Sequence, residues 1–174
     1  MIQRIALLAV PLAVAAATYA YRTESGRQDA EAAGPPVLGS GAHVYRWVPD
    51  WGALPDGATL GNTHGCIVTD EAGRVYVNTD MERAVVVFEP DGTVAAAWGA
   101  RFAGGLHGMA LVREGEDEFL YLTHTGQHKV FKATLDGEVL WELGWPEESG
   151  VYANEGEYRP TSIAVAPDGR FWVA

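Results

Sequence analysis

One cysteine, Cys66, stands in 174 residues, so no internal disulfide holds this fold in any compartment. Its apolar surroundings mark it as a small core residue, in line with the usual burial of free cysteines. Basic residues are scarce: 12 Lys and Arg face 23 Asp and Glu, a formal charge of −11. That balance suits a soluble protein and argues against nucleic acid or an anionic membrane surface as a partner. CxxC, HExxH, G-x-S-x-G and a Gly-rich phosphate loop are all missing. Dithiol redox chemistry, HExxH metalloproteases, that class of hydrolase and nucleotide binding on such a loop are disfavoured accordingly. A helical apolar period is missing too: after residue 43 no ten-residue stretch sustains one. Glycine, with 21 residues, and six regularly placed Trp favour turn-dense β structure instead.

A long hydrophobic run occurs near the N-terminus, "IALLAVPLAVAAATYA" at residues 5 to 20, behind the basic Arg4. With the small residues Ala15-Ala16-Ala17 as a cleavage site, residues 1–21 read as an export signal, either cleaved or kept as a membrane anchor. The expected location is periplasmic, extracellular or membrane-anchored facing outward. Residues 22–42 are polar, Ala/Gly/Pro-rich and aperiodic, the composition of a flexible linker. At the other end "PDGRFWVA" stops within an apparent strand, which predicts a fragment of a longer gene product.

Between these ends the chain repeats itself. The runs "CIVTD", "RVYVNTD", "AVVVFEP" and "TVAAAWG" are short and apolar or alternating, with turn residues between them. Asp91-Gly92, Asp136-Gly137 and Asp168-Gly169 each sit between two such runs, a strong hairpin signal. "THGCIVTDEAGRVYVNTDMERAVVVFEPDGTVAAAWG" overlays on "LHGMALVREGEDEFLYLTHTGQHKVFKATLDGEVLWELG", and "PTSIAVAPDGRFWVA" begins a third unit. His64 to His107 spans 43 positions, as does Trp98 to Trp141. Four short strands per 40–50 residues predict an all-β fold, a β-propeller of four-stranded antiparallel blades. Residues 43–174 supply about two and a half blades. Ahead of the first, "YRWVPDWGALPDG" reads as a lone outer strand, of the kind that completes the last blade of a closed ring and removes sheet edges.

Each of the first two units puts a His-Gly pair directly before an apolar run. His64 and His107 therefore share one strand offset and should both face the central channel. His124 and His128 flank "THTGQHKVF" and read as turn or surface residues. Asp70 and Asp80 follow strands and suit turn hydrogen bonding, and Trp98 and Trp141 suit packing between blades. "WPEESGVYANEGEY" is an insertion relative to the first unit, carrying Tyr152 and Tyr158. Insertions of this kind emerge at ring faces, which makes both tyrosines candidate substrate contacts.

Over residues 43–174 the "G-x-V-Y-V" strands, the Asp-Gly turns and the terminal Trp-Gly resemble NHL-repeat six-bladed propellers. Within these, "WVPDWGALPDGATLGNTHGCIVTDEAGRVYV", "LHGMALV" with "HKVFKATLDG", and "YRPTSIAVAPDGRFWVA" are similar to peptidyl-α-hydroxyglycine α-amidating lyase and its bacterial relatives. The resemblance implies six blades, an axial zinc held by three histidines from alternate blades, and a nearby calcium. It places His107 as the first zinc ligand, with the others in blades four and six, and the backbone around Met109 in the calcium site. His64, in a blade without a family ligand, is a second candidate for the metal. The family's catalytic Arg falls where this chain reads "VNTDMER", with Asn78 and Thr79, and Arg83 is out of register. The family's catalytic Tyr would follow "FWVA". The resemblance thus implies a zinc-dependent lyase acting on a small-molecule or peptide substrate in the channel. A non-catalytic propeller binding a protein or ligand at the cell envelope is the other reading.

Overall fold

The computed structural model describes residues 36–174. The signal or anchor at 1–21 and most of the linker at 22–42 lie outside the described residues. The described residues divide into two units, one ending at Asp50 and the other running from Trp51 to Ala174. In the first, β1 (Val37–Ser40) and β2 (His43–Arg46) form an antiparallel hairpin, Val37 opposite Arg46 and Ser40 opposite His43. The end of the segment read as linker is therefore a strand. The strand beside "YRWV" is not the lone strand expected from sequence; it pairs with its own predecessor.

The second unit holds the repeat. β3 (Ile67–Thr69), β4 (Val75–Asn78), β5 (Val85–Phe88) and β6 (Val94–Trp98) form one four-stranded antiparallel sheet in chain order. β7 (Leu106–Glu114), β8 (Asp117–His124), β9 (Lys129–Thr134) and β10 (Val139–Leu143) form the next. β11 (Ile163–Val165) and β12 (Phe171–Val173) form the opening hairpin of a third. Among the described residues the only helical segments are short 3-10 turns. β7 touches β3 and β4 on one side and β11 on the other, so the three sheets approach one another through their first strands. The architecture is all-β, with the four-stranded antiparallel blades of a β-propeller, as the repeat predicts.

The turns show how the sequence makes this sheet. Gly92, Gly137 and Gly169 carry φ of +88°, +89° and +84°, whereas the preceding aspartates keep ordinary negative φ. Asp91 and Asp168 serve differently: their Oδ1 atoms accept the backbone N–H groups of Thr93 and Arg170. A one-residue register shift adjoins the first two turns, as expected when a glycine in the left-handed region ends a three-residue hairpin loop. β5 is buried along its whole length, which "VVVF" provides for.

Tyr76, Val85 and Val87 of the first blade share one core with Leu106, Leu122 and Phe131 of the second. Trp98 closes over that core against Gly137, where an added Cβ would lie 2.6 Å from the indole ring. Trp141 stacks on Phe171 of the third blade, ring centroids 5.8 Å apart, with Tyr121 edge-on at 5.5 Å. Both repeat tryptophans therefore pack between blades. Cys66 is half-buried at the edge of the shared core.

Candidate functional site

His64 and His107 meet where the first two blades begin. Their rings stack with centroids 4.3 Å apart and planes inclined by 21°. The Nδ1 of His107 lies 2.8 Å from the carbonyl oxygen of Thr161, just before β11. A carbonyl can only accept, so Nδ1 carries a proton, and in the neutral ring Nε2 keeps its in-plane lone pair. Gly108 makes this meeting possible. Its N–H donates to Thr123 Oγ1 at 2.7 Å, and a Cβ there would lie 2.7 Å from the Thr161 carbonyl oxygen.

The backbone of His107 is held from the other side. Its carbonyl accepts hydrogen bonds from Asn78 Nδ2 at 2.8 Å and from the Cys66 thiol at 3.3 Å. Asp80, at the end of the second strand's turn, accepts from the Asn62 backbone N–H at 3.0 Å and from Asn62 Nδ2 at 2.7 Å. The Asn62 side chain is the main reason the Asp80 carboxyl is held below its usual range, and the charge of His64 adds to the effect. An ionised carboxylate, hydrogen-bonded to Asn62, therefore lies within electrostatic reach of His64. Asp70, by contrast, is wholly engaged in its own turn. Burial pushes its pKa up, but hydrogen bonds from Arg74 and Tyr76 outweigh burial and leave it lowered.

The geometry tests what these residues can hold. An ion bound by an imidazole lies in that ring's plane, about 2.0–2.1 Å from the nitrogen for zinc. Two rings stacked with nearly parallel planes keep their lone pairs in separate planes, which do not meet at that range. His107 fits as a single ligand, with a carbonyl behind its Nδ1 as metal-binding histidines commonly have. His64 in this arrangement is its stacking partner rather than a second ligand to the same ion. Among the described residues no three His, Cys, Asp or Glu side chains gather closely enough to hold a metal. Met109 stands opposite Leu122 with its side chain in the core, which leaves its backbone as its only donor to a cation.

Tyr152 and Tyr158 are brought together, their rings edge-to-face with centroids 5.4 Å apart. They line a cleft of about 670 Å³ with Trp145, Phe171 and the carboxylates Glu147 and Glu148. No residue of the histidine pair lines it. Tyr158 is buried, which raises its pKa, with Tyr152 adding a smaller push in the same direction.

His124 is neither a turn nor a surface residue: it is the last residue of β8, paired with Lys129, and is 3% exposed, although its ring caps the turn that follows. Its Nδ1 accepts from the backbone N–H groups of Gly126 and Gln127, at 3.2 and 3.0 Å, so the proton resides on Nε2. Burial drives its pKa below the usual value. The stability it contributes is full above the unfolded-state pKa of about 6.5 and falls as pH drops below that, by at most about 1.4 kcal/mol per unit. We expect the urea midpoint to fall between pH 7.5 and 5.5, and His124→Gln to flatten that fall. An equal slope in the variant would show that other groups carry it. His128, with φ +54°, donates from Nδ1 to the Tyr158 carbonyl, which ties the insertion to the second blade.

The residue that sequence reasoning passed over is Asn78. It stands where the resemblance places a catalytic arginine, yet it is fully buried and engaged with three backbone groups. The sequence signal was slight: an amide ending the apolar alternation of "VYVN". Thr79 bonds the Arg83 carbonyl, and Arg83 lies on the exposed turn.

No protein-family model matches the chain, and no curated protein matches it. Among solved structures it is similar to a streptogramin B lyase, at 17% identity and a TM-score of 0.47, over 78% of this chain and 39% of that one. It is also similar to a selenomethionine-substituted virginiamycin B lyase from Staphylococcus aureus, at 17% identity and a TM-score of 0.45, over 64% of this chain and 36% of that one. The chain thus spans less than two fifths of the length of either.

Proposed function

We propose that this chain belongs to an exported, metal-assisted lyase of the amidating type, acting on a small-molecule or peptide substrate at the inner end of the blades. One observation carries the reading: His107 is fixed by the Thr161 carbonyl with its Nε2 free, at the place where three blades begin. Zinc bound there would supply a Lewis acid to the substrate's hydroxyl oxygen. The reaction removes the hydroxyl proton as the C–N bond breaks: the O–H pair becomes the second bond of a new C=O, and the C–N pair stays with the departing amide nitrogen, which takes up a proton. In this reading His107 presents one ligand nitrogen and His64 stacks on the ring of His107. The Met109 backbone would help hold a calcium. The run at residues 5 to 20 carries the proposal of export.

The test is metal content of the full-length, six-bladed protein that this reading requires, after zinc loading and dialysis, with turnover of an α-hydroxyglycine peptide. Near-stoichiometric zinc is expected in the wild type, with loss of metal and turnover in His107→Ala. A wild type that keeps no zinc would overturn the reading. The second reading, a non-catalytic propeller binding a protein or ligand at the cell envelope, draws on the aromatic cleft of Tyr152 and Tyr158. Under it, Tyr152→Ala would abolish ligand binding and His107→Ala would leave it intact.

A further inference from the structure

We infer that Asn78 is a positioning residue for the histidine pair, an inference that rests on the reading of that pair as the functional centre. Asn78 ends β4 in the first blade and is fully buried. Its Oδ1 accepts from the Cys66 N–H at 3.3 Å, two residues from His64. Its Nδ2 donates to the Leu106 carbonyl at 3.3 Å and to the His107 carbonyl at 2.8 Å. Both amide hydrogens and the carbonyl are used, so one planar group spans the segments that present both histidines. Few side chains can do this: an amide offers acceptor and donor at opposite corners of one rigid plane. A carboxylate would turn the donor corner into a second acceptor facing two carbonyl oxygens, and an arginine, having no acceptor, would leave the Cys66 N–H unmatched. The chain therefore uses this position to set the distance between two blades at the point where their histidines stack. Thr161 fixes the His107 ring from the third blade, while Asn78 fixes its backbone from the first.

Thr79 supplies the comparison. It too is fully buried, but its hydroxyl bonds the Arg83 carbonyl within the first blade and does not reach His107. The experiment compares Asn78→Ala and Thr79→Ala by nuclear Overhauser effects between the His64 and His107 rings, with backbone amide protection as the check on folding. Loss of the ring–ring contact in Asn78→Ala, and its retention in Thr79→Ala, is the expected result. Zinc affinity of Asn78→Ala should fall about 10- to 100-fold, as when support behind a ligand is removed. Retention of the contact in both variants, or its loss in both, would overturn the inference. If Asn78→Ala does not fold, Asn78→Asp carries the same expectation, because it keeps the shape and loses the donor. If neither folds while Thr79→Ala does, Asn78 is a general structural residue and the inference falls. The ring contact is read without metal, so a wild type that binds no zinc overturns the lyase reading and leaves this test standing.

Discussion

Gly108→Ala should destabilise the protein by about 3 kcal/mol, the upper end of ordinary overpacking costs. An added Cβ would lie 2.5 Å from Thr123 Oγ1, 2.7 Å from the Thr161 carbonyl oxygen and 2.9 Å from the Ser162 Cα. Two of these three are backbone atoms, so no rotamer change relieves them. Moving them would pull Thr161 off the His107 ring and separate the second blade from the third. At about 2–4 °C per kcal/mol for a chain of this size, Tm should fall by roughly 6–12 °C. Gly144→Ala is the matched comparison, since nothing lies within 4 Å of its Cβ position and its φ is not positive. That variant should stay within about 0.5 kcal/mol of the wild type. A Gly108→Ala protein with an unchanged urea midpoint would mean that the third blade does not press on β7 as described.

The blades were legible because their marks are local. Asp-Gly at strand junctions, buried β-branched runs and tryptophans one period apart each reflect a constraint acting within a few residues. What local pattern did not settle was pairing at the N-terminal end, where β2 finds a partner in β1 rather than standing alone. It also did not separate the two members of the turn dipeptides: glycine alone takes the positive φ, while aspartate caps the first and third turns and Thr134 the second.

The site was legible only in part, for a related reason. Equal offsets of His64 and His107 before their apolar runs do bring the two rings together, although His107 lies within β7 and His64 three residues ahead of β3. Their mutual orientation is another matter. It is set by a carbonyl 54 residues beyond His107 and by an amide 29 residues before it. No period in the sequence encodes either contact, so stacking could not be told from shared ligation. Tyr152 and Tyr158 were found through their insertion, whereas the burial of His124 beneath Gly105 left no mark in "THTGQH". A Cβ on that glycine would lie 2.2 Å from the His124 ring.

Phe102→Ala should cost about 3–5 kcal/mol, the range for removing a buried aromatic ring from a core. Phe102 lies in the 3-10 turn Ala100–Phe102 that joins β6 to β7, and it is completely buried. Its ring meets Phe131 of the second blade edge-on, centroids 5.0 Å apart at 75°. The Arg101 guanidinium lies 5.4 Å from the centroid of each ring, covering the pair from outside. A double-mutant cycle with Phe131→Ala should return a coupling of about 0.5–1.5 kcal/mol beyond the lost area. The pair sits inside a core shared by Val85 and Val87 of one blade and Leu106 and Leu122 of the other. Loss of the ring should therefore lower the urea midpoint of one cooperative transition without changing its slope. If the blades held separate cores, the variant would unfold in two steps and cost less than about 1 kcal/mol in the second blade. A single shifted transition would instead show that the connecting turn belongs to the core of both blades, and that the histidines are presented by a frame that folds as one body.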